Sequence, residues 1–375
     1  MRSTSPKSLA VPLIVDPFLI TTTLLLVGFS LVMVYSTTGV ASAEKYQDAL
    51  LYVKRQGLAA LLGTLLMCGC LLLDCRWLKK LSPFCYPLAV LLLAVVLIPG
   101  LGVTGGGARR WISLGFLRLQ PGEFVKVLFV IFVAGFYSRH EGTLGGFRDG
   151  ILKPGLLLAP VAALFLLQPD FGSAAVLALV TLAMGAATGV RLRYLLIGGA
   201  GMAGALAMLV LVSPYRMMRV LSFLSPWSDA EGRGYQLIQS LIAVGTGQLS
   251  GVGLGQSHQK LFFLPAAHTD FIFAVISEEL GFIGALVLLG LFLVFLWRGA
   301  ILAARVAEDA FSFSLAVGLL LLVVAPALLN MGVVLGILPT KGLVLPLVGY
   351  GGSALMASMM VVGLLLGVGR SFERR

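Results

Sequence analysis

Charge is the scarcest commodity in this 375-residue sequence. Only 11% of its residues are Asp, Glu, Lys or Arg, where soluble domains carry about a quarter. That shortage, with 59% apolar residues and a mean hydropathy of +1.01, excludes an ordinary soluble fold and predicts an integral membrane protein. As single residue types, histidine (three) and cysteine (four) are rarer still. Cys68, Cys70, Cys75 and Cys85 fall in or near the second and third apolar runs with no histidine beside them. The spacing argues against a zinc site and suits small apolar fillers on the reducing side of a membrane. Acids are short too: 16 against 27 basic residues leaves a net charge of +11. The basic residues are scattered through short loops, which fits membrane topology and anionic head groups, not a nucleic-acid face. The first apolar run has no small-residue cleavage motif and merges into a full span, so no cleavable signal peptide is expected.

Long polar stretches are missing with one exception, roughly Ser213 to Gly284. It holds a hydrophilic loop, the run LFFLPAAHTDFIF (Leu261 to Phe273), and the start of another apolar segment. Asp270 stands where loop meets span, and the candidate chemistry centres on that carboxylate. Runs long enough to cross ~30 Å of hydrocarbon at ~20 residues each lie near 17–37, 56–74, 84–102, 121–138, 154–169, 172–190, 194–213, 270–297, 311–335 and 343–368. The expected fold is therefore an all-α polytopic membrane domain spanning 1–375. It has about ten transmembrane helices and a large extracytoplasmic loop, 214–269, between the seventh and eighth. With both termini inside, 15 of the 27 basic residues are cytoplasmic and 12 outside. Four of those 12 (Arg216, Arg219, Arg233, Lys260) sit in the long loop, where the topology rule counts weakly. Both termini are accordingly expected in the cytoplasm.

The outer side keeps basic residues that topology does not require. GGGARRWISLGFLRLQPGEFVK (Gly105 to Lys126) opens on a flexible glycine run followed by Arg109 and Arg110. Guanidinium pairs suit a phosphate-bearing ligand; snorkelling at the head-group level is the plainer account. Pro121 suits a first helical turn, and Glu123 and Lys126, three apart, can pair on one helix face. Asp170, in LLQPDFG, reads first as a turn and helix cap. GYQLIQSLIAVGTG (Gly234 to Gly247) has the amphipathic pattern of a helix lying along the outer interface. The glycine-rich stretch after it has no strand-turn-helix context, so it is no dinucleotide fingerprint. Glu278 and Glu279 fall inside the eighth span, where acids need a partner or a wet cavity. Between Leu335 and Met356 prolines and glycines are too dense for an unbroken helix, and such backbone must be buried or line a cavity. Lys341 lies within it.

In order, these segments resemble the SEDS family (shape, elongation, division and sporulation) of bacterial cell-wall proteins, the FtsW and RodA type. The carriers are GARRWI with QPGEFVK, QPDFG, GYQLIQSLIAVGTGQLSGVGLGQSHQK, LPAAHTDFIFAVISEELGF and LPTKGLVLPLVGYGGS. Thr-Lys-Gly at 340–342 is closer to the division branch. The chain departs from the family at Ala266, usually Glu, at Gly122, usually Ser, and at GYGGSA, usually Ser-Tyr-Gly-Gly-Ser-Ser. The resemblance implies a peptidoglycan glycosyltransferase polymerising lipid II on the outer face of the cytoplasmic membrane, at the division septum. It also implies a class B penicillin-binding protein and other divisome proteins as partners.

Lipid II carries a diphosphate leaving group, so the leaving oxygen needs positive charge and not a second carboxylic acid. One base suffices for the acceptor hydroxyl. Asp270 is the expected catalytic base. Arg109, Arg110, Lys126, Lys260 and Lys341 are the candidate diphosphate neutralisers, with Glu123, Asp170 and His268 completing the expected substrate-binding set. A divalent cation, Mg or Mn, could share the neutralisation, although the sequence has no cluster with metal-ligand spacing. A lipid II flippase, an elongation-type polymerase and a non-catalytic scaffold are the competing readings. A flippase should show ionisable or broken-helix sites in corresponding halves, and no internal repeat is visible.

Overall fold

The computed structural model describes residues 15–105, 107–115, 117–232, 234–260, 263–339 and 342–373. Its helices are α1 (Pro17–Tyr46), α2 (Leu51–Leu71), α3 (Cys75–Leu97), α4 (Pro121–Arg139), α5 (Lys153–Leu167), α6 (Phe171–Ala187) and α7 (Leu192–Leu211), then α8 (Pro214–Leu224), α9 (Tyr235–Thr246), α10 (Ile272–Arg305), α11 (Ala310–Val334) and α12 (Gly352–Glu373). Each of the ten apolar runs is a helix. Among the described residues eight helical spans are long and apolar enough to cross a membrane. α6 falls short at 17 residues, and α2 begins with the charged Lys54 and Arg55 in its first turns. The last span starts at Gly352 and not near 343, because the proline- and glycine-rich stretch before it stays irregular.

Local chemistry sets the helix starts. Asp16 caps α1, accepting from the amides of Phe18 (3.0 Å) and Leu19 (3.2 Å) with Pro17 at the first position. Its other oxygen takes Arg298, late in α10, at 2.6 Å. The Cys75 amide donates to the Ser371 hydroxyl (3.3 Å), and Arg370 donates to the Leu71 carbonyl. The first and last spans therefore reach the same end of the bundle. α2 and α12 run parallel and very close: a Cβ on Gly363 would overlap the Met67 carbonyl, and one on Gly63 would lie 3.3 Å from Met359 Cβ.

The opposite end carries the irregular segments. Gly102–Gly105, Ala108–Leu114 and Leu117–Leu119 form a small antiparallel sheet, β1–β2–β3, where the sequence suggested only a flexible loop. Residues 342–351 are irregular, yet their backbone is bonded: buried Gln56 of α2 donates to the Gly349 carbonyl (3.2 Å) and accepts from the Gly351 amide (3.3 Å). The amphipathic stretch 235–246 is helical, and part of its apolar face packs on α10 and α11. Leu237, Ile238 and Ala243 are buried, and Ser240 donates to the Val334 carbonyl. α8, another amphipathic helix, occupies what read as loop.

α10 is broken at Gly281, whose φ of 66° and ψ of −165° belong to a region that glycine alone adopts. The chain at 248–253 fills the break. The amides of Val252 and Gly253 donate to the carbonyls of Glu278 and Glu279, while those of Phe282 and Ile283 donate to Gln248 and Leu249. Beside it Glu278 accepts from the Ser257 hydroxyl and the His258 amide. Glu279, wholly buried, holds Lys260 at 2.8 Å and the Ser36 hydroxyl of α1 at 2.6 Å. Both acids thus have partners, as depth in a membrane demands.

Candidate active site

Three motifs distant in sequence meet at the loop end. The first is the turn Gln168–Asp170 between α5 and α6. Arg110, on β2, holds it with a fork: Nε donates to the Gln168 carbonyl (2.7 Å) and Nη2 to that of Pro169 (2.5 Å). The Gln168 side chain donates to the Leu93 carbonyl of α3 (2.9 Å). Asp170 caps α6, accepting from the Ser173 amide (3.1 Å) and hydroxyl (2.8 Å), and it is buried.

The second is the 266–271 turn carrying Asp270. Ala266 adopts a left-handed φ of 57°, and its carbonyl takes the amides of Thr269 and Phe271. This bend delivers Asp270 to the head of α10. The third is the 342–351 segment. A Cβ on Gly342 would lie 3.0 Å from Asp270 Oδ2, and one on Gly172 would lie 2.8 Å from Leu343 Cδ2. Glycine at 342 lets that backbone approach the carboxylate, and glycine at 172 lets α6 pack against Leu343 beside it. Desolvation by these walls pushes Asp270 up to about 6; Arg110 and Arg219 pull the other way, and Asp170 adds to the rise. The carboxylate is thus ionised at neutral pH and still basic enough to accept a proton, the combination general-base chemistry needs.

The other expected site residues divide. Glu123 and Lys126 pair at 2.8 Å in the first turns of α4, and the Gln120 amide just before them donates to the Ser353 hydroxyl at the start of α12. His268 packs edge-on to Tyr52 (ring centroids 5.7 Å) and beside Tyr350 (5.6 Å). Burial pushes its imidazole below the usual value, and the ring packs between these tyrosines two residues from Asp270. Arg109 does not join Arg110. Neighbours on a strand face opposite ways, and Arg109 Nη1 donates to the Leu97 carbonyl at the end of α3 (3.3 Å). Lys260 does not offer a free ammonium either: it is 5% exposed and held by Glu279. Lys341 lies outside the described residues. Arg219, one turn and a half into α8, counts in the sequence only as one of the long loop's basic residues, yet its charge acts on Asp270. The signal available was the alternation of basic and apolar residues in PYRMMRVLSFL. Among the described residues no three His, Cys, Asp or Glu side chains gather where they could hold a metal ion. The residues present do not fit a protein-held Mg or Mn site.

Comparison with known proteins agrees along the whole chain. The sequence pattern of the Cell cycle protein family FtsW/RodA/SpoVE matches residues 17–374. Stage V sporulation protein E of Bacillus subtilis is 41% identical over 360 residues, 95% of this chain and 97% of that protein. A protein of Thioalkalivibrio sulfidiphilus named probable peptidoglycan glycosyltransferase FtsW is 44% identical over 350 residues, 92% of this chain and 87% of its own length. Among solved structures, a chain of a peptidoglycan synthase complex that coordinates polymerization and crosslinking superposes with a TM-score of 0.79 at 32% identity. It covers 96% of this chain and 99% of that one. The rod shape determining protein RodA of Thermus thermophilus gives 0.68 at 30% identity, with 96% and 98% covered. Ten apolar helices in this order, three motifs closed around one carboxylate, and a match from residue 17 to residue 374 place the chain in the FtsW/RodA/SpoVE family of membrane proteins.

Proposed function

We infer that this protein is a peptidoglycan glycosyltransferase of the FtsW kind, which polymerises lipid II with Asp270 as general base. The observation that carries the reading is Asp270 itself: a half-buried carboxylate with the Gly342 backbone against it, raised to about 6, with two arginines acting on it. In the reaction the acceptor sugar's hydroxyl oxygen attacks the anomeric carbon of the donor, and its proton passes to the Asp270 carboxylate. The bond from that carbon to the diphosphate oxygen breaks, and the diphosphate leaves with the bonding electrons. Arg110 and Arg219 supply positive charge for that departing group, with the Glu123–Lys126 pair and Asp170 lining the same end. Fixed charges in a partly dehydrated site need no reorganisation as the negative charge develops.

The same reading puts the loop end on the outer face of the cytoplasmic membrane, both termini in the cytoplasm, and the enzyme at the septum beside a class B penicillin-binding protein. The structure of a synthase complex containing a similar chain supports such a partner. The test is to incubate the purified full-length chain with labelled lipid II and resolve the products by gel. The expected result is a glycan ladder from the wild type and none from Asp270→Asn, which keeps shape and hydrogen bonding but cannot accept the proton. A flippase or a scaffold yields no ladder in either case, and a ladder from the Asn variant places the base elsewhere.

A further inference from the structure

Asn330, in the last turns of α11, is 2% exposed and lies in none of the motifs that drew attention in the sequence. Its side-chain amide donates twice, to the backbone carbonyl of Asp270 (2.7 Å) and to that of Leu343 (2.6 Å). Both acceptors are carbonyls, so the NH2 end must face them. One amide thus ties the residue bearing the base to the segment whose Gly342 backbone closes over its carboxylate. The Tyr350 amide adds a second tie, to the His268 carbonyl at 2.9 Å. The other end of the Asn330 side chain is unusual. Its Oδ1 is buried and has no partner among the described residues, a situation that is rare and calls for a reason. We propose that Asn330 is a positioning residue for Asp270, fixing the depth of the general base beneath the 342–351 segment. The inference rests on the glycosyltransferase reading and adds a residue to it. Either donor bond could be replaced by packing; what packing cannot reproduce is one rigid group setting the distance between two separate backbones. Without it the 342–351 segment is free to lift, water reaches the carboxylate, and Asp270 moves back toward an ordinary aspartate's acidity.

The test uses the full-length chain in lipid vesicles with labelled lipid II, comparing Asn330→Ala and Asn330→Asp. The second keeps the side chain's shape but faces both carbonyls with oxygens instead of donors. Folding is followed by size-exclusion profile and thermal midpoint, and kcat and KM are measured from pH 5 to 8. At least one variant is expected to be monodisperse, with KM within threefold of wild type and kcat about tenfold or more lower. The acid limb of its kcat profile should lie lower than that of the wild type. Wild-type kcat in both variants overturns the proposal while leaving the glycosyltransferase reading intact. So does a kcat loss that follows the folded fraction with an unmoved acid limb, or a failure of both variants to fold, since each assigns Asn330 to stability alone. An inactive wild type, or an active Asp270→Asn, defeats the underlying reading instead.

Discussion

Arg110 and Asp170 press on Asp270 with opposite signs, and neutralising each should displace the pH profile in opposite directions. The base works only when ionised, so activity should fall as pH drops through about 6, not about 4. Arg110 favours the ionised form; its loss raises Asp270 further and moves the acid limb up. Asp170 disfavours it; Asp170→Asn moves the limb down, and Asn still caps α6. A partly screened charge contributes about 1 kcal/mol, which at 1.36 kcal/mol per unit is roughly 0.7 of a pH unit each way. Arg110→Ala also releases two charge-assisted bonds on the 168–169 carbonyls, each worth about 1.5–3 kcal/mol, so its plateau should fall by about two to four decades. Arg110→Lys separates the two effects. It keeps the charge, and hence a limb near 6, but a single ammonium cannot span both carbonyls, so the plateau recovers only in part. Initial rates of lipid II polymerisation across pH 5 to 8.5 measure all three variants. Limbs that move together, or do not move at all, refute the assignment of Asp270 as the titrating base.

Lys260→Met strands the buried Glu279 carboxylate and should cost about 3–5 kcal/mol, seen as a lower thermal midpoint in detergent; Lys260→Met with Glu279→Gln should recover much of it. Gly363→Ala pushes a methyl into the Met67 carbonyl across the α2–α12 contact and should reduce the yield of folded protein, measured by fluorescence-detected size exclusion. Arg109→Ala should retain polymerisation within a few-fold of wild type, because its guanidinium turns to the end of α3 and is not among the charges acting on Asp270. A cysteine at exposed Ser228 should react with an impermeant maleimide in cells stripped of their outer barrier; absence of labelling would reverse the orientation.

The helices were legible because membrane helices write themselves as uninterrupted apolar runs, and each of the ten runs contains a helix, the last beginning only at Gly352. Asp270 was legible as the acid where the long polar loop meets the eighth span. Residues whose roles depend on direction were not. Arg109 and Arg110 look like one cluster until a strand sends them to opposite sides, and nothing in GGGARRWISL announces a strand over a loop. Lys260 looks like a free cation until the 248–260 chain folds down onto Glu279. Arg219 was hidden because α8, short and only half apolar, reads as part of a polar loop. Asn330 was hidden because a lone amide inside an apolar helix has no pattern of its own; its meaning comes from two carbonyls, 60 and 13 residues away in the chain.

The broken helix α10 has a consequence for how this chain tolerates change. Surface loops ordinarily accept insertions and deletions, and by composition the glycine-rich stretch 247–255 is a natural place for them. Here four backbone bonds hold residues 248–253 in register with 278–283, and Gly251 and Gly281 approach too closely for either to carry a side chain. One residue added or removed would slip every bond at once, beside the two buried acids that the neighbouring residues satisfy. Length variation among relatives, and any epitope tag or fluorescent insertion, should therefore be confined to the exposed turn near 228–232 and excluded from 248–260.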